Sequence, residues 1–538
     1  MIPSRIPVSQ LAPRFTLSQA IPHSAPITSL LLGQQRLLSA IRMAAKLPQQ
    51  RLYIADFPGI NRSLLLQALV AEQQVQHWQY LSGQLTRQQL IGQRDKLGQW
   101  QNGALAKPQW LFICAESLMR RENLWELLLH CLEQGAIELS DGSRIPIQAK
   151  LVLIGGAEIY AGLKYQEGRF NQFFPLLGEL AQEVDINQHP VEDYCNFLVA
   201  LANAQQLTLN KDAIAPLLAF SAKLTEHQQR LSLMTDELVQ VLAQAASFCE
   251  QQSLSAEQIE QALAAKIFRH NTSEQFSAQS FDDAFINLPT EGEAIGQING
   301  LTVIDSVDFS YGEPARITAS VHYGDGEVAD IERKSELGGN IHAKGMMILS
   351  ACLYRIFGRD APLHLSANIV FEQSYQEIDG DSASLAEYCC LMSAIAEKPI
   401  LQSFAVTGAL DQQGNVQAIG GVNEKIEGFF NLCQRRGLTG SQGVLLPRAN
   451  LLQLNLPKRI IDAVADGKFH LFQISHMDEA VELLMQLPAG KADAENDFPP
   501  ETLYGLVQQR LDKLAGNDDE MPLSFWQRIG AKLGFLSW

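Results

Sequence analysis

A serine near the start of a predicted helix is the first group in this 538-residue chain that suggests chemistry. In QEIDGDSASLAEYCC an acidic, glycine-containing turn leads into small residues and a helical pattern, which places Ser382 at or near a helix N-terminus. Free backbone N–H groups and the positive end of the helix dipole favour a negative oxygen there, which suits a serine nucleophile. Serine at this position is also a common N-cap, and these residues alone favour that structural role.

The second candidate is Lys425, in VTGALDQQGNVQAIGGVNEKIEGFF, where a predicted hairpin and a Gly-Gly turn lead into a helix. A lysine amine can accept the proton of a serine if burial lowers its pKa from about 10.4 towards about 7–8. A helical lysine is by itself typical of a solvated surface. The pair therefore indicates catalysis only if one fold brings both motifs together.

Taken together, the two motifs resemble the peptidase domain of the Lon protease family. DGDSAS (Asp379–Ser384) is similar to the serine motif of that family, and GGVNEK (Gly420–Lys425) is similar to its lysine motif. The approach strand GNVQAIGG (Gly414–Gly421) also matches, and the G-D-S-A-S core is similar to the B-type, archaeal-like branch. The resemblance extends over roughly Ile295–Met485 and implies a serine endopeptidase.

The resemblance also implies roles for individual residues. It makes Ser382 the nucleophile and Lys425 the general base and later acid, a dyad that replaces a Ser–His–Asp triad. Thr407 matches the threonine that orients the lysine amine, and backbone N–H groups around Asp381 and Ser382 would form the oxyanion hole. Asp381 either holds the dyad in one ionic state or satisfies the helix dipole, and we favour the second interpretation. His342 invites a triad, but we expect a structural or surface histidine.

Lon proteases normally carry an AAA+ ATPase module before the peptidase, and the N-terminal region resembles one in outline. A P-loop has the form G-x-x-x-x-G-K-[ST], and the corresponding turn here is DFPGINRS, with Gly59 inside it. Asp56 and Asn61 replace the two motif glycines, Arg62 replaces the lysine, and only Ser63 matches. A carboxylate at Asp56 would repel phosphates.

Two further nucleotide motifs are altered. The strand WLFICAES has Cys114 and Ala115 where the family has its two carboxylates, and Glu116 comes one position late. Met234 and Thr235 stand near the lid position that normally supplies an arginine to the nucleotide. We therefore predict that the module keeps its fold and assembles rings, that it has lost ATP hydrolysis, and that neither ATP nor Mg²⁺ is needed for peptide hydrolysis.

Composition excludes several other classes of function. The chain has 41 Lys and Arg against 59 Asp and Glu, a net charge of −18, which argues against nucleic acid as the main partner. Its 8 cysteines show no CxxC pair and lie mostly in apolar runs, which predicts free thiols in a reducing compartment and no metal site. We find no signal peptide and no apolar run of transmembrane length, so we expect a cytoplasmic protein without a transmembrane segment.

The succession of patterns predicts a multidomain α/β chain. Alternating buried strands and helices, such as RLYIAD and WLFICAE with the helical segments between them, indicate a parallel sheet at the N-terminal end. We expect five segments: a degenerate AAA+ α/β module (1–185), an α-helical lid (186–275), a polar linker (276–290), an α+β Lon-type proteolytic domain (291–487) and a tail (488–538). LSFWQRIGAKLGFLSW in the tail is amphipathic, and packing on its own domain or on a neighbouring subunit is favoured over a membrane or partner helix.

These patterns together predict a Lon-like serine endopeptidase that assembles into a homo-hexameric ring. It would degrade unfolded or flexible proteins without hydrolysing ATP. Two alternatives stay open, namely an ATP-dependent Lon protease with an atypical P-loop and a non-catalytic ring scaffold or adaptor. The presence of both Ser382 and Lys425, with the acidic charge, counts against the scaffold.

Overall fold

The computed structural model describes residues 3–17, 21–47, 50–307, 309–324, 328–334, 337–358, 363–374 and 378–515. The amphipathic tail pattern lies outside these residues. The chain divides into two compact units, Arg14–Lys266 and Met1–Pro13 with Ile267–Trp538. Among the described helices, none has the length and apolar character that crossing a membrane requires.

The first unit is built on a five-stranded parallel sheet with the order β10-β2-β9-β6-β3. The predicted alternation of buried strands with helices is thereby confirmed. Its strands, after β1 (Ser4–Arg5) of the other unit, are β2 (Leu52–Asp56), β3 (Trp78–Leu81), β4 (Gly92–Arg94), β5 (Trp100–Asn102), β6 (Trp110–Cys114), β7 (Ala136–Glu138), β8 (Arg144–Pro146), β9 (Lys150–Gly156), β10 (Leu176–Glu179), β11 (Glu183–Asp185), β12 (Thr208–Leu209), β13 (Arg230–Ser232) and β14 (Ser253–Leu254).

The helices of the first unit fall into two groups. Those up to residue 173 accompany the parallel sheet, and those from residue 191 onward form the predicted all-helical segment, joined only by short strand pairs. They are α1 (Gln35–Lys46), α2 (Arg62–Glu72), α3 (Arg87–Ile91), α4 (Ala115–Met119), α5 (Glu122–Gln134), α6 (Ala157–Gln166), α7 (Phe170–Phe173), α8 (Val191–Ala204), α9 (Ile214–Leu224), α10 (Thr235–Ala246) and α11 (Ala256–His270).

The second unit contains an eight-stranded mixed sheet with the order β1-β25-β24-β21-β16-β17-β19-β18. Its elements after α11 are α12 (Thr272–Asp282), β15 (Glu293–Ile295), β16 (Gln297–Asp305), β17 (Ser310–Tyr323), β18 (Val328–Asp330), α13 (Ile331–Lys334), α14 (Asn340–Phe357), β19 (Leu365–Glu372), α15 (Ser384–Ala396), β20 (Pro399–Leu401), β21 (Phe404–Val406), β22 (Ala409–Leu410), β23 (Val416–Gln417), α16 (Val422–Arg436), β24 (Gly443–Pro447), α17 (Lys458–Ala465), β25 (His470–Ile474), α18 (Met477–Met485) and α19 (Leu503–Leu514).

The mixed sheet separates two hydrophobic cores. Along β24, Leu445 packs with α14, α15, α18 and α19, whereas Val444 and Leu446 pack with α16 and α17. This alternation follows from the two-residue period of a strand, which turns successive side chains to opposite faces. Helices α15 and α16 therefore lie on opposite faces of one sheet.

Two expectations about chain organisation differ from the structure. The segment predicted as a polar linker is helical from residue 276 to residue 282, because α12 covers Thr272–Asp282 and buries Phe281. The Glu, Gln and Ala residues of α12 support a helix, and no Gly or Pro interrupts α12. The first module was expected from residue 1, whereas residues 4 and 5 form β1 and pair with β25 of the second unit.

Candidate active site

Ser382 and Lys425 lie side by side in the second unit. The Lys425 Nζ donates a hydrogen bond to the Ser382 Oγ at 2.8 Å. Ser382 precedes helix α15, and Lys425 lies in the first turn of helix α16. These helices lie on opposite faces of the sheet, and the two residues approach each other where β21 ends. The two motifs that sequence analysis singled out are thus brought into direct contact.

Burial changes the acid–base chemistry of this lysine. Lys425 is 4 % exposed, and the loss of water around its ammonium group lowers its pKa to about 8, although the negative charge of Asp381 opposes the shift. An amine with this pKa is partly neutral near physiological pH, so it can accept a proton from a hydroxyl.

The backbone around Ser382 is held against the end of β21. Its carbonyl oxygen accepts hydrogen bonds from the Gly408 N–H at 2.8 Å and from the Thr407 hydroxyl at 3.3 Å. The Thr407 hydroxyl therefore donates to the nucleophile's own backbone, whereas the resemblance implied a bond to the lysine amine. The N-cap of α15 is Ala383, without a side-chain cap, so the N-cap role considered for Ser382 is wrong.

Two glycines that sequence analysis did not single out, Gly312 and Gly428, position Lys425. A Cβ on Gly312 of β17 would lie 1.9 Å from the Glu424 carbonyl oxygen and 2.8 Å from the Lys425 Cα, and a Cβ on Gly428 would meet the Gly312 backbone. The helix bearing the lysine thus packs backbone to backbone against the strand. Gly421, which begins this helix with φ +63°, has no room for a Cβ beside Val303. Close strand–helix approach through glycine leaves no periodic pattern in a sequence.

The turn that precedes α15 supplies the remaining groups. The Asp381 carbonyl accepts from the Ser384 N–H and hydroxyl, and the Asp381 carboxylate acts electrostatically on Lys425. This favours the interpretation that Asp381 influences the ionic state of the lysine over the interpretation that it satisfies the helix dipole. Within the described ranges, the N–H groups of Asp381 and Ser382 donate no hydrogen bond, which leaves them available to a substrate oxygen.

Comparison with known proteins agrees with this geometry. Residues 368–486 match the Lon protease (S16) C-terminal proteolytic domain, 66–181 match a LonB-like AAA domain, and 208–269 match the archaeal LonB AAA+ ATPase lid domain. The chain is 38 % identical over 420 residues to the "Putative Lon protease homolog" of Escherichia coli (strain K12), covering 74 % of this chain and 70 % of that protein. The chain belongs to the Lon protease family. The resemblance seen in DGDSAS and GGVNEK, and the multidomain α/β fold, are confirmed.

Other Lon relatives extend the comparison. The "Putative Lon protease homolog" of Haemophilus influenzae is 34 % identical over 429 residues, which covers 77 % of this chain and 71 % of that protein. The archaeal Lon protease of Archaeoglobus fulgidus is 27 % identical over 280 residues, 52 % of this chain and 42 % of that protein.

In the AAA-like module of this Lon protein, an arginine fills the turn where a P-loop would hold phosphates. The Arg62 guanidinium bonds both carboxylate oxygens of Asp56, at 2.5 and 3.1 Å, and both of Glu116, at 2.8 and 2.9 Å. Burial would raise the pKa of Glu116, but hydrogen bonds from Arg62 outweigh it and lower the pKa to about 2. The positive charge of Arg62 at the P-loop position therefore balances the negative charges of Asp56 in the same turn and of Glu116 in the second nucleotide motif.

The same turn is tied to the lid within the first unit. The Asn61 N–H donates to the Thr235 hydroxyl at 2.7 Å, and the Asn61 side-chain amide donates to Asp236 at 3.0 Å. The Met234 side chain packs on Gly59, where a Cβ would lie 2.8 Å from its methyl carbon. In this turn Pro58 and Ser63 are exposed, and the Ser63 hydroxyl accepts a hydrogen bond from Gln67. Met234 and Thr235 thus contact the phosphate-loop turn directly.

Proposed function

We propose that this Lon family member is a serine endopeptidase that uses Ser382 as nucleophile and Lys425 as general base and acid. It hydrolyses peptide bonds of unfolded or flexible proteins without ATP hydrolysis, as a homo-hexameric ring. The observation that carries the proposal is the 2.8 Å contact between the buried amine and the hydroxyl.

The geometry supports a complete acyl-transfer cycle. Neutral Lys425 takes the hydroxyl proton as the Ser382 Oγ attacks the peptide carbonyl carbon, and the Asp381 and Ser382 N–H groups bind the oxygen that becomes negative. The Lys425 ammonium then protonates the leaving amine as the C–N bond breaks, which leaves an acyl ester on Ser382. Water attacks this ester, Lys425 takes its proton, and the acid product departs as the proton returns to Ser382.

The Arg62 cluster supports independence from ATP. Two carboxylates already form ion pairs with Arg62 at this turn, so a nucleoside triphosphate would have to compete with both ion pairs and face two negative side chains. Asn61, which replaces the second motif glycine, instead bonds Thr235 and Asp236 of the lid. The proposed ring rests on the similarity of the first unit to AAA+ modules, which pack side by side into rings.

A degradation assay distinguishes this function from an ATP-dependent protease and from a non-catalytic scaffold. With an unstructured casein-like substrate, we expect cleavage at the same rate, within about twofold, with and without ATP and Mg²⁺, because the nucleotide turn is occupied by Arg62. Titration calorimetry should detect no ATP binding tighter than about 1 mM. Light scattering reports the mass of the assembly, and we expect the mass of six 59.5 kDa chains.

Ser382→Ala is the blank in this assay. Cleavage that persists in the blank would mean that a different nucleophile or a contaminant acts. Strict dependence on ATP would establish the ATP-dependent alternative, and absence of cleavage by the wild type on any unfolded substrate would favour the scaffold.

The rate should rise with pH through the titration of Lys425. Because the amine must be neutral to accept the serine proton, kcat/KM on a fluorogenic peptide is expected to reach half of its maximum near pH 8. In Asp381→Asn the negative charge that raises the pKa of Lys425 is lost, so the midpoint should move to lower pH. A profile with a midpoint near pH 10, or an unchanged midpoint in the variant, would contradict the assignment.

A further inference from the structure

A buried cluster of ionisable side chains lies behind the nucleophile. His342 on α14 and Glu387 on α15 are each 1 % exposed, and Asp330 at the end of β18 is 8 % exposed. The His342 Nε2 is 3.1 Å from the Asp330 Oδ2 and 3.9 Å from the Glu387 Oε1. In the described part of the chain, none of these three atoms has a hydrogen bond of good geometry, so they face one another without another polar partner.

Such a cluster destabilises a fold unless its charges compensate one another. Burial, together with the nearby charges of Asp330 and Glu332, raises the pKa of Glu387 to about 7, although His342 opposes the shift. Burial lowers the pKa of His342, but Asp330, Glu387 and Glu332 outweigh it and raise the pKa above the usual value. An imidazolium between carboxylates, with a proton on Glu387, is the arrangement that these shifts favour.

The cluster lies behind the two helix starts that enclose the nucleophile turn. The Asp379 carboxylate accepts from the N–H groups of Ile341 and His342 at the start of α14, at 3.0 and 3.3 Å. A Cβ on Gly345, one turn later, would lie 3.2 Å from the Asp381 Cα and Cβ. Glu387 belongs to the first turn of α15. The position of α14 against α15 therefore sets the position of the turn that ends in Ser382.

We propose that His342, Asp330 and Glu387 form a positioning unit, which joins α14 to the first turn of α15 and thereby holds Ser382 within hydrogen-bonding distance of Lys425. Its kinetic consequences rest on the proposed function. His342 is not a catalytic residue, because its ring faces Asp330 and Glu387. The hydroxyl of Ser382 is hydrogen-bonded to Lys425 instead. A displacement of the hydroxyl by about 1 Å is enough to slow the chemical step.

The test replaces His342 by phenylalanine, which keeps the ring volume and removes its polar atoms. On a fluorogenic peptide we expect kcat to fall about 10- to 100-fold with KM within about twofold, since binding groups are untouched and orientation is lost. His342→Gln, which keeps a donor, should recover part of kcat. His322→Phe is the matched control, because His322 is an exposed histidine of β17 in the same unit, and it should leave both parameters unchanged.

Amide hydrogen exchange decides the inference independently of turnover. In His342→Phe, exchange in a peptide covering residues 378–385 should increase, while the strands β16, β17 and β24 stay protected. If the wild type proves to have no peptidase activity, the proposed function fails and this local exchange still decides the positioning role. Equal exchange in variant and wild type, or an equal increase throughout the second unit, would overturn it.

Glu387→Gln provides a second variant should His342→Phe not fold. The folded state binds the Glu387 proton up to about pH 7, above the ordinary range, so ionisation destabilises the cluster as pH rises through that value. Intrinsic-rate-corrected exchange of residues 378–385 should therefore increase in the wild type between pH 6 and pH 8. Glutamine cannot ionise and should reduce that increase to the part that comes from loss of the His342 proton, whose pKa is also raised; an increase as large as that of the wild type would contradict the role.

Discussion

Lys425→Met is expected to abolish peptide cleavage and, at the same time, to stabilise the folded protein. Without the amine no group takes the proton from Ser382, so kcat/KM should fall by about 10³-fold or more. The side chain that replaces it is of similar length and apolar, which suits a site where Lys425 is only 4 % exposed. Cleavage of a fluorogenic peptide measures the first effect, and urea unfolding measures the second.

The stabilisation follows from the lowered pKa of the lysine. The fall from 10.5 to about 8 corresponds to about 3 kcal/mol of destabilisation at pH 7. Between the two values the unfolded chain binds the proton and the folded chain does not, so wild-type stability rises as pH increases from about 8 to 10.5. Methionine should remove this slope and add about 2 kcal/mol at pH 7, after loss of the hydrogen bond to Ser382.

Lys458→Met is the matched control for this experiment. The Lys458 side chain is 85 % exposed on α17, so the same change there should alter neither cleavage nor stability beyond about 0.5 kcal/mol. A Lys425→Met protein that keeps a tenth of wild-type activity would show that this amine is not the base. A variant less stable than the wild type at pH 7 would show that burial of the amine does not destabilise the fold.

Gly312→Ala is expected to have the second-largest effect, although residue 312 lies outside both motifs. The new Cβ would lie 1.9 Å from the Glu424 carbonyl oxygen, a backbone atom that cannot rotate away, so α16 must shift and carry Lys425 with it. We expect kcat to fall about 100-fold and the free energy of unfolding to fall by about 1–3 kcal/mol. Peptide kinetics, thermal unfolding and the pH profile measure these changes.

Gly420→Ala separates this steric effect from the mere loss of a glycine. Gly420 belongs to the Gly-Gly motif, yet a Cβ there would meet no atom within 4 Å. The variant should therefore keep the wild-type rate. If Gly420→Ala is as damaging as Gly312→Ala, or if Gly312→Ala has full activity, the packing of β17 against α16 does not position the lysine.

The active-site pair could be predicted from sequence because each member lies in a local motif. DGDSAS and GGVNEK specify a turn before a helix, and such turns depend on a few neighbouring residues. Their contact could not be predicted from the residues alone, because it depends on two helices on opposite faces of one sheet that meet where β21 ends. The resemblance to Lon proteases supplied that long-range information.

Elements with strong patterns were also predictable, and those that depend on distant partners were not. The buried strands β2 and β6 and the helix α15 coincide with the predicted segments. The apolar run LQSFAVTGAL is typical of one strand, but the structure divides it into β20, β21 and β22, with breaks at residues 402–403 and 407–408. Strand β1 has only two residues and forms because β25 offers an unpaired edge.

The sequence by itself indicated the family, the altered phosphate motifs and the two candidate reacting groups, because each of them is encoded over a few consecutive residues. Tertiary structure decided which of these groups act on one another. It placed the Arg62 side chain between Asp56 and Glu116, turned the Thr407 hydroxyl towards the Ser382 backbone, and removed water from Lys425. Desolvation and ion pairing depend on atoms that are far apart along the chain, so they exist only once the sheet and its two layers of helices have packed.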